Sequence, residues 1–314
     1  MKVLIFGATG FIGSSVARAF TRAGHITYGQ TRSQSSAKGL AMQEIIPVVC
    51  DPLTPEGRAV WGPIAAVADA VIDCSAIDTA DKALSLVSHF KSLISGRPAA
   101  APKPTYIYTG GLWSWARSGS GLDSWTDERQ PRTDINTNVS WRKDVEDPVL
   151  LEDKFNGVVI RPPMLYGKSG SFVAYFHLDA AYEAAKKGKV FEALVTEDTR
   201  WQTIHQDDVG EAYRLVAEVG HLAKGQTFMP ANPQSERLTD ILDAIARVSG
   251  AKGWKPIQAK TPLEKAWVST VNAHPSLLTA LTGWKPTKLS LVDGMDVYWQ
   301  SYVASREEEK SAKL

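Results

Sequence analysis

What most restricts the fold of this 314-residue chain is its first twenty residues. A short apolar run, Val3 to Phe6, meets three glycines, Gly7, Gly10 and Gly13, and passes directly into Ile12, Val16, Phe20 and Ala23 at helical spacing. The pattern reads as strand, tight turn and helix. Side-chain-free positions in such a turn let bare backbone approach a pyrophosphate, and the helix N-terminus offers unpaired N–H groups with a partial positive charge. With Thr9, Phe11 and Ile12 between them, the three glycines are candidate contacts to a dinucleotide. Three glycines alone are a weak signal, whose alternative is a structural turn; the strand before and the helix after strengthen it.

A chain of this length buries a large core and suits one large α/β unit or two unequal lobes. Its 44% hydrophobic and 22% charged residues are ordinary for a globular protein, and a net charge of +1 argues against nucleic acid or a membrane surface as partner. No apolar stretch reaches the ~20 residues of a bilayer span, and no cleavable signal pattern precedes the first strand, so an intracellular location is expected. Cys50 and Cys74 sit at the ends of apparent strands and read as reduced, buried small hydrophobes; neither a disulfide nor a metal is expected. The final Ala312-Lys313-Leu314 resembles the peroxisomal address Ser-Lys-Leu on a polar segment able to reach an import receptor; the alternative is a chance ending, which leaves cytoplasm and peroxisome open.

Residues 24–33 read as a second strand. An acidic residue at its tip would accept from the ribose 2′-OH of NAD and repel a 2′-phosphate. Arg32 and Ser33 stand there instead, a guanidinium and a hydroxyl suited to a phosphate dianion, so NADP(H) is favoured; the plain alternative for Arg32 is a solvated charge. A third strand over 44–51 ends at Asp51, which either caps the next helix or touches the adenine edge. The fourth, over 69–76, closes on Cys74, Ser75 and Ala76, small residues that leave room for a cofactor. A helix over 81–94 and a proline-rich connection lead to a fifth strand, 106–109, stopped by Gly110 and Gly111. This alternation specifies an α/β fold, a Rossmann-type doubly wound parallel sheet.

From Leu112 to Ser140 the chain is polar and carries Trp113, Trp115 and Trp125, which favour a substrate wall over a lid or a disordered loop. Helices are expected over 141–151, with Pro148 inside, and over 172–187, 206–217, 239–248 and 262–272, with a last one through Met295 and Tyr302. Further strands are expected over 157–161, 200–205 and 225–231. The resulting organisation is a Rossmann domain over 1–165 with 200–232 returning to it. Segments 166–199 and 233–304 form a smaller, mostly helical substrate lobe, and 305–314 an exposed tail.

Gly7-x-x-Gly10-x-x-Gly13, the strand ending at Asp51, Tyr108-Thr109 closing the fifth strand, Arg161-Pro162-Pro163 leading to Tyr166-Gly167, and Ile204-His205-Gln206-Asp207-Asp208 occur in order along nearly the whole chain. Together they resemble the extended short-chain dehydrogenase/reductases, the family of nucleotide-sugar epimerases and dehydratases. The resemblance implies a nicotinamide dinucleotide in the Rossmann domain, with Pro162 beside it, a small-molecule substrate in the C-terminal lobe, and a homodimer. It also implies a Ser or Thr after the fifth strand and a Tyr-x-x-x-Lys on the next helix, the tyrosine acidified by the lysine ammonium and the nicotinamide charge.

The chain departs from that pattern. Gly111 stands where the hydroxyl is expected, and alignment on Glu146 puts Arg142 at the lysine and Asn138 at the tyrosine; a one-residue slip to Lys143 and Val139 restores no tyrosine. A positioned general acid is worth about 10²–10⁴-fold in rate, so its loss either removes ordinary ketone reduction or hands the proton to another group. Thr109, Tyr166 and His205 are the candidate replacements, and Arg142 the candidate to hold ribose or polarise an oxygen. Tyr108 alternates with Thr109 and points away from its face. Tyr166 is otherwise a packing aromatic, and His205 a buried histidine orienting the Asp207–Asp208 turn. The candidate substrate contacts are Gly111, Trp113, Trp141, Tyr166, Arg200 and His205. The expected activity is an atypical NADP-dependent reductase acting on a small apolar or aromatic carbonyl compound. The alternatives are a non-redox isomerase, dehydratase or cyclase on the same fold, and a nucleotide-sensing regulatory protein.

Overall fold

The computed structural model describes residues 1–115, 125–130, 137–168 and 171–311. The first half alternates β1 (Lys2–Phe6), α1 (Phe11–Arg22), β2 (Ile26–Thr31), α2 (Gln34–Ala41), β3 (Ile46–Val49), α3 (Pro55–Val67), β4 (Ala70–Asp73), α4 (Ala80–Ile94) and β5 (Thr105–Thr109). There follow β6 (Trp125–Asp127), α5 (Lys143–Leu151), β7 (Asn156–Ile160), β8 (Met164–Tyr166), α6 (Asp179–Lys186), β9 (Phe191–Leu194), β10 (Arg200–His205), α7 (Gln206–Val219) and β11 (Thr227–Phe228). The chain continues with β12 (Ser235–Arg237), α8 (Leu238–Ser249), β13 (Trp254–Ile257), α9 (Pro262–Trp267), β14 (Asn272–His274), α10 (Ser276–Thr282) and α11 (Met295–Ser311).

Seven strands form one parallel sheet in the order β3-β2-β1-β4-β5-β7-β11. Both faces are covered, which is why β1 and β4 are unbroken apolar runs rather than alternating ones. Val3, Ile5, Ile72 and Ile107 pack toward Val16 and Phe20 of α1 and Val209 and Val216 of α7. Leu4, Phe6, Val71 and Tyr106 pack toward Trp61 of α3, Phe90 of α4 and Val149 of α5. The order in which successive strands are added reverses between β1 and β4, and this is where doubly wound sheets open a crevice at their carboxyl ends.

The doubly wound sheet read from the sequence is therefore present. Two helices that the sequence reading leaves unmarked, α2 and α3, complete it. The first buries only Ala37 and Leu40, and the second starts at Pro55, contains Pro63 and is capped by the Thr54 hydroxyl accepting from Gly57 N–H. Short length and an internal proline blur the periodicity on which a sequence reading depends.

A second core lies between the sheet edge and the C-terminal elements, joining Tyr166, Trp201, Ile241, Ile245, Trp267, Met295 and Tyr302. Here β8 pairs with β10 and β10 with β12, β9 pairs with β13, and β14 pairs with β6. The helix expected over 262–272 ends at Trp267, because Asn272 already belongs to β14. The helix expected over 172–187 opens with a π-helical turn, Ala174–Leu178, before α6. Residues beyond 304, expected as a tail, are helical to Ser311, and Arg306 reaches Asp179 and Glu183. Ala312-Lys313-Leu314 lies outside the described residues, as do residues 116–124 and 131–136 of the tryptophan-bearing segment. Among the described residues no helix is long and apolar enough to cross a membrane.

Candidate active site

The glycine turn is built by steric exclusion. Gly7 has φ +69°, and a Cβ there would sit 2.6 Å from the Cys74 carbonyl oxygen; a Cβ on Gly13 would sit 2.1 Å from the Gly7 carbonyl oxygen. Gly10 N–H donates to the Gly7 carbonyl at 2.9 Å, closing the turn. Gly10 is also the N-cap of α1, with no side chain satisfying the helix amides and no acidic residue in the first turn. Those amides are left for an anionic ligand. Thr9 is exposed, and Phe11 and Ile12 are half-buried beside it. The buried Gln30 accepts from Gly7 N–H at 3.0 Å and donates to the Cys50 carbonyl at 2.7 Å, tying the turn to β2 and β3.

At the tip of β2, Arg32 is exposed and makes no hydrogen bond or ion pair among the described residues. Ser33 exchanges a hydrogen bond with Ser35 at 2.6 Å and caps α2 without a side-chain bond. Asp51 does not cap α3: its carboxylate accepts from Leu53 N–H at 3.0 Å in a tight turn, and Thr54 is the cap.

The end of β4 carries a residue that the sequence reading passes over. Asp73 is 2% exposed and accepts from Ser75 N–H at 3.0 Å, from the Ser75 hydroxyl, and from the Tyr106 hydroxyl at 3.3 Å. Burial pushes its carboxyl above the ordinary aspartate range. An acidic residue closing an otherwise apolar strand was the signal available. Cys74 is a free thiol that burial pushes up to about 12, and Ala76 is exposed.

At the end of β5, the Thr109 hydroxyl accepts from the buried Tyr213 hydroxyl at 2.8 Å and lies 3.5 Å from Cys74 Sγ as its donor. Arg142 donates to the Thr109 carbonyl at 3.0 Å and the Tyr108 hydroxyl at 3.2 Å, with its guanidinium 4.8 Å from the centre of the Trp141 ring. A Cβ on Gly111 would meet nothing within 4 Å, whereas one on Gly110 would lie 2.5 Å from Glu146 Oε1. Beneath them Glu146 and Arg161 form an ion pair 0% and 1% exposed. The buried Pro162 accepts from Leu112 N–H at 3.0 Å.

Tyr166 lies in a different cluster. It is 1% exposed, donates to the Leu289 carbonyl at 2.6 Å and accepts from Asn232 at 3.1 Å, and burial raises its pKa. Its ring packs on His205 and Tyr298. None of these contacts joins it to Thr109 or Arg142, and its hydroxyl is committed to the packing of β8 against the C-terminal segment. His205 accepts from Asp207 N–H through Nδ1 at 3.1 Å, with burial lowering its pKa, which is the turn-orienting arrangement. Arg200 donates to the Ser235 carbonyl at 3.4 Å. Trp113 packs edge-on to Trp267, with ring centres 6.3 Å apart, while Trp141 belongs to the core beneath α4 and α5. The glycine turn and the strand ends thus gather into one crevice, with Arg142 at the β5 end; Tyr166, His205 and Arg200 belong to the lobe.

No family model matches the sequence, and no curated protein matches it. Solved structures do match in fold. The dTDP-glucose 4,6-dehydratase of Bacillus anthracis, solved with NAD, is 14% identical with 98% of each chain covered and a TM-score of 0.78. A nucleoside-diphosphate-sugar epimerase of Pseudomonas aeruginosa is 16% identical over 98% of each chain, with a TM-score of 0.74. A human epimerase family protein solved with NADPH is 17% identical, covering 96% of this chain and 99% of that one, with a TM-score of 0.67. Over nearly its whole length, the chain has the fold of these epimerases and dehydratases.

Proposed function

We propose that the chain is an NADP(H)-dependent, reductase-like enzyme that acts on a small apolar or aromatic carbonyl compound without the usual tyrosine acid. The observation that carries this reading is Arg32, exposed and without a hydrogen bond or ion pair among the described residues, beside Ser33 at the tip of β2 and on the same sheet edge as a glycine turn whose free amides suit a pyrophosphate. The solved structures of like fold that hold NAD or NADPH support a nicotinamide cofactor.

The amides at the start of α1 would hold the diphosphate, and Arg32 with Ser33 the 2′-phosphate. A bound nicotinamide supplies hydride to the carbonyl carbon. Arg142, fixed by the Thr109 carbonyl and the Tyr108 hydroxyl, would stabilise the developing alkoxide by charge and hydrogen bonding rather than by giving up a proton. The proton would come from water in the space that Gly111 leaves open.

A second reading, a non-redox isomerase or dehydratase, is favoured by the Thr109 hydroxyl, whose hydrogen bonds to Tyr213 and Cys74 are already made. One experiment separates the two. The protein is incubated with NADPH and a panel of aromatic aldehydes and ketones, with absorbance of the reduced nicotinamide and product mass followed together. Alcohol formed in step with NADPH loss supports the reductase. A rearranged or dehydrated product with NADPH intact overturns it in favour of the second reading, and binding of NADPH without any turnover points to a sensing role.

A further inference from the structure

Beside the crevice, the residues following β8 carry an aromatic surface that the reaction chemistry above does not use. Phe176 lies against Trp267 with ring centres 3.9 Å apart; Phe172 meets Trp267 edge-to-face at 5.9 Å, and Tyr175 meets Phe176 edge-to-face at 5.0 Å. Trp267 is 1% exposed, but Phe172 is 62% and Tyr175 70% exposed. A buried aromatic base therefore supports two outward rings three residues apart, at the edge of a π-helical turn, a local widening that recurs at functional sites.

Three further observations bear on what this surface can hold. Trp113 packs edge-on to Trp267 at 6.3 Å, and it stands two residues past Gly111, so the shelf continues into the end of β5 where the reacting carbon would lie. The direction of a Gly111 side chain is open. Within the cluster, the 1%-exposed His177 is held by Trp267 Nε1 at 3.4 Å through Nε2, while its Nδ1 has no partner among the described residues. That nitrogen is buried within the base, so the surface itself offers aromatic faces, which a flat aromatic ring matches best.

We propose that Phe172, Tyr175 and Phe176, backed by Trp113 and Trp267, form the binding shelf for the planar aromatic ring of the substrate. The proposal rests on the reading of the crevice as a carbonyl-reducing site and specifies which surface selects the substrate. Edge-to-face and offset contacts with aromatic rings are worth about two- to twelvefold in affinity each beyond area burial, so two of them discriminate a flat ring from a saturated one of similar size.

The test titrates 2-naphthaldehyde and its saturated counterpart of like size, decahydronaphthalene-2-carbaldehyde, against the full chain, with and without NADPH, by quenching of tryptophan fluorescence, using wild type, Phe172→Ser, Tyr175→Ser and the double variant. NADPH binding and sedimentation are recorded for each protein. Naphthaldehyde should bind wild type at least tenfold more tightly than the saturated aldehyde, and the double variant should lose that preference while binding NADPH as wild type does. Equal affinities in wild type, or an unchanged preference in the double variant, overturn the proposal. A double variant that changes only the sedimentation coefficient assigns the surface to a second copy of the chain and overturns it as well. Failure of NADPH to bind any of the proteins removes the cofactor reading alone, since the preference measured without NADPH still reports on the shelf.

Discussion

Arg142 donates to the main-chain carbonyl of Thr109 at 3.0 Å, which pins a permanent positive charge to the end of the strand where the substrate oxygen would lie. A Lys at this position would be a point charge free to swing, whereas the guanidinium is fixed by two acceptors at once. Replacing it with Ala should lower kcat by about 10²-fold, the usual loss for one oxyanion-stabilising donor, with little change in NADPH affinity. Steady-state kinetics and a cofactor titration check this; a kcat within a factor of about two of wild type would take Arg142 out of the chemistry.

Gly110 and Gly111 should respond oppositely to a side chain. Gly111→Ser meets open space and should unfold within about 0.5 kcal/mol of wild type, whereas Gly110→Ala drives its methyl to 2.5 Å from Glu146 Oε1 and should destabilise by about 1–3 kcal/mol. Denaturant unfolding of the two variants makes the comparison.

The contrast between these neighbours also marks how far the sequence could be read. The roles of Gly7, Gly10 and Gly13 in the turn follow from local spacing, because a turn is made by consecutive residues, whereas the open place at Gly111 does not. That Gly110 is forced by a carboxylate depends on Glu146, which reaches the site from α5, after a long excursion of the chain out of the sheet and before it returns in β7. Asp73 was overlooked because the apolar run of β4 gives no hint that its last side chain is buried with Ser75 and Tyr106. The shelf of Phe172, Phe176 and Trp267 joins segments about ninety residues apart, a separation over which periodicity carries no information. His205 as the residue that orients the Asp207–Asp208 turn is legible from its place before the two aspartates, but only packing reveals that the Tyr166 hydroxyl is bonded to Leu289.

The Glu146–Arg161 pair should be far harder to break than to see. Both side chains are buried, and Glu146→Gln leaves a guanidinium in a low-dielectric interior with its counter-charge removed. A loss of about 3–5 kcal/mol in unfolding free energy is expected. Calorimetry or denaturant titration measures it, and a loss below about 1 kcal/mol would mean that the pair is solvated.

Stability should fall in mild acid through His177. Burial lowers its pKa from 6.5 to about 3, so below 6.5 the unfolded chain takes up a proton that the folded chain excludes. Its contribution is complete above the unfolded value and shrinks by about 1.4 kcal/mol per pH unit as the pH drops toward the folded value. His177→Phe removes this slope, so the advantage of wild type over the variant should shrink by about 1.5–2 kcal/mol between neutral pH and pH ~5. Taking the difference cancels the opposite slopes of Asp73, Glu128 and Glu236, whose folded pKa values are raised by burial. A pH-independent difference would contradict the assignment.

The claim on which the functional reading stands is that the tip of β2 selects a 2′-phosphorylated dinucleotide. The most direct measurement is calorimetric titration of NADPH and NADH into wild type and Arg32→Asp. Wild type should bind NADPH at least about tenfold more tightly than NADH, and Arg32→Asp should lose or invert that preference, because a carboxylate accepts from a ribose hydroxyl and repels a phosphate. Binding of neither nucleotide, or a wild-type preference for NADH, would contradict the account.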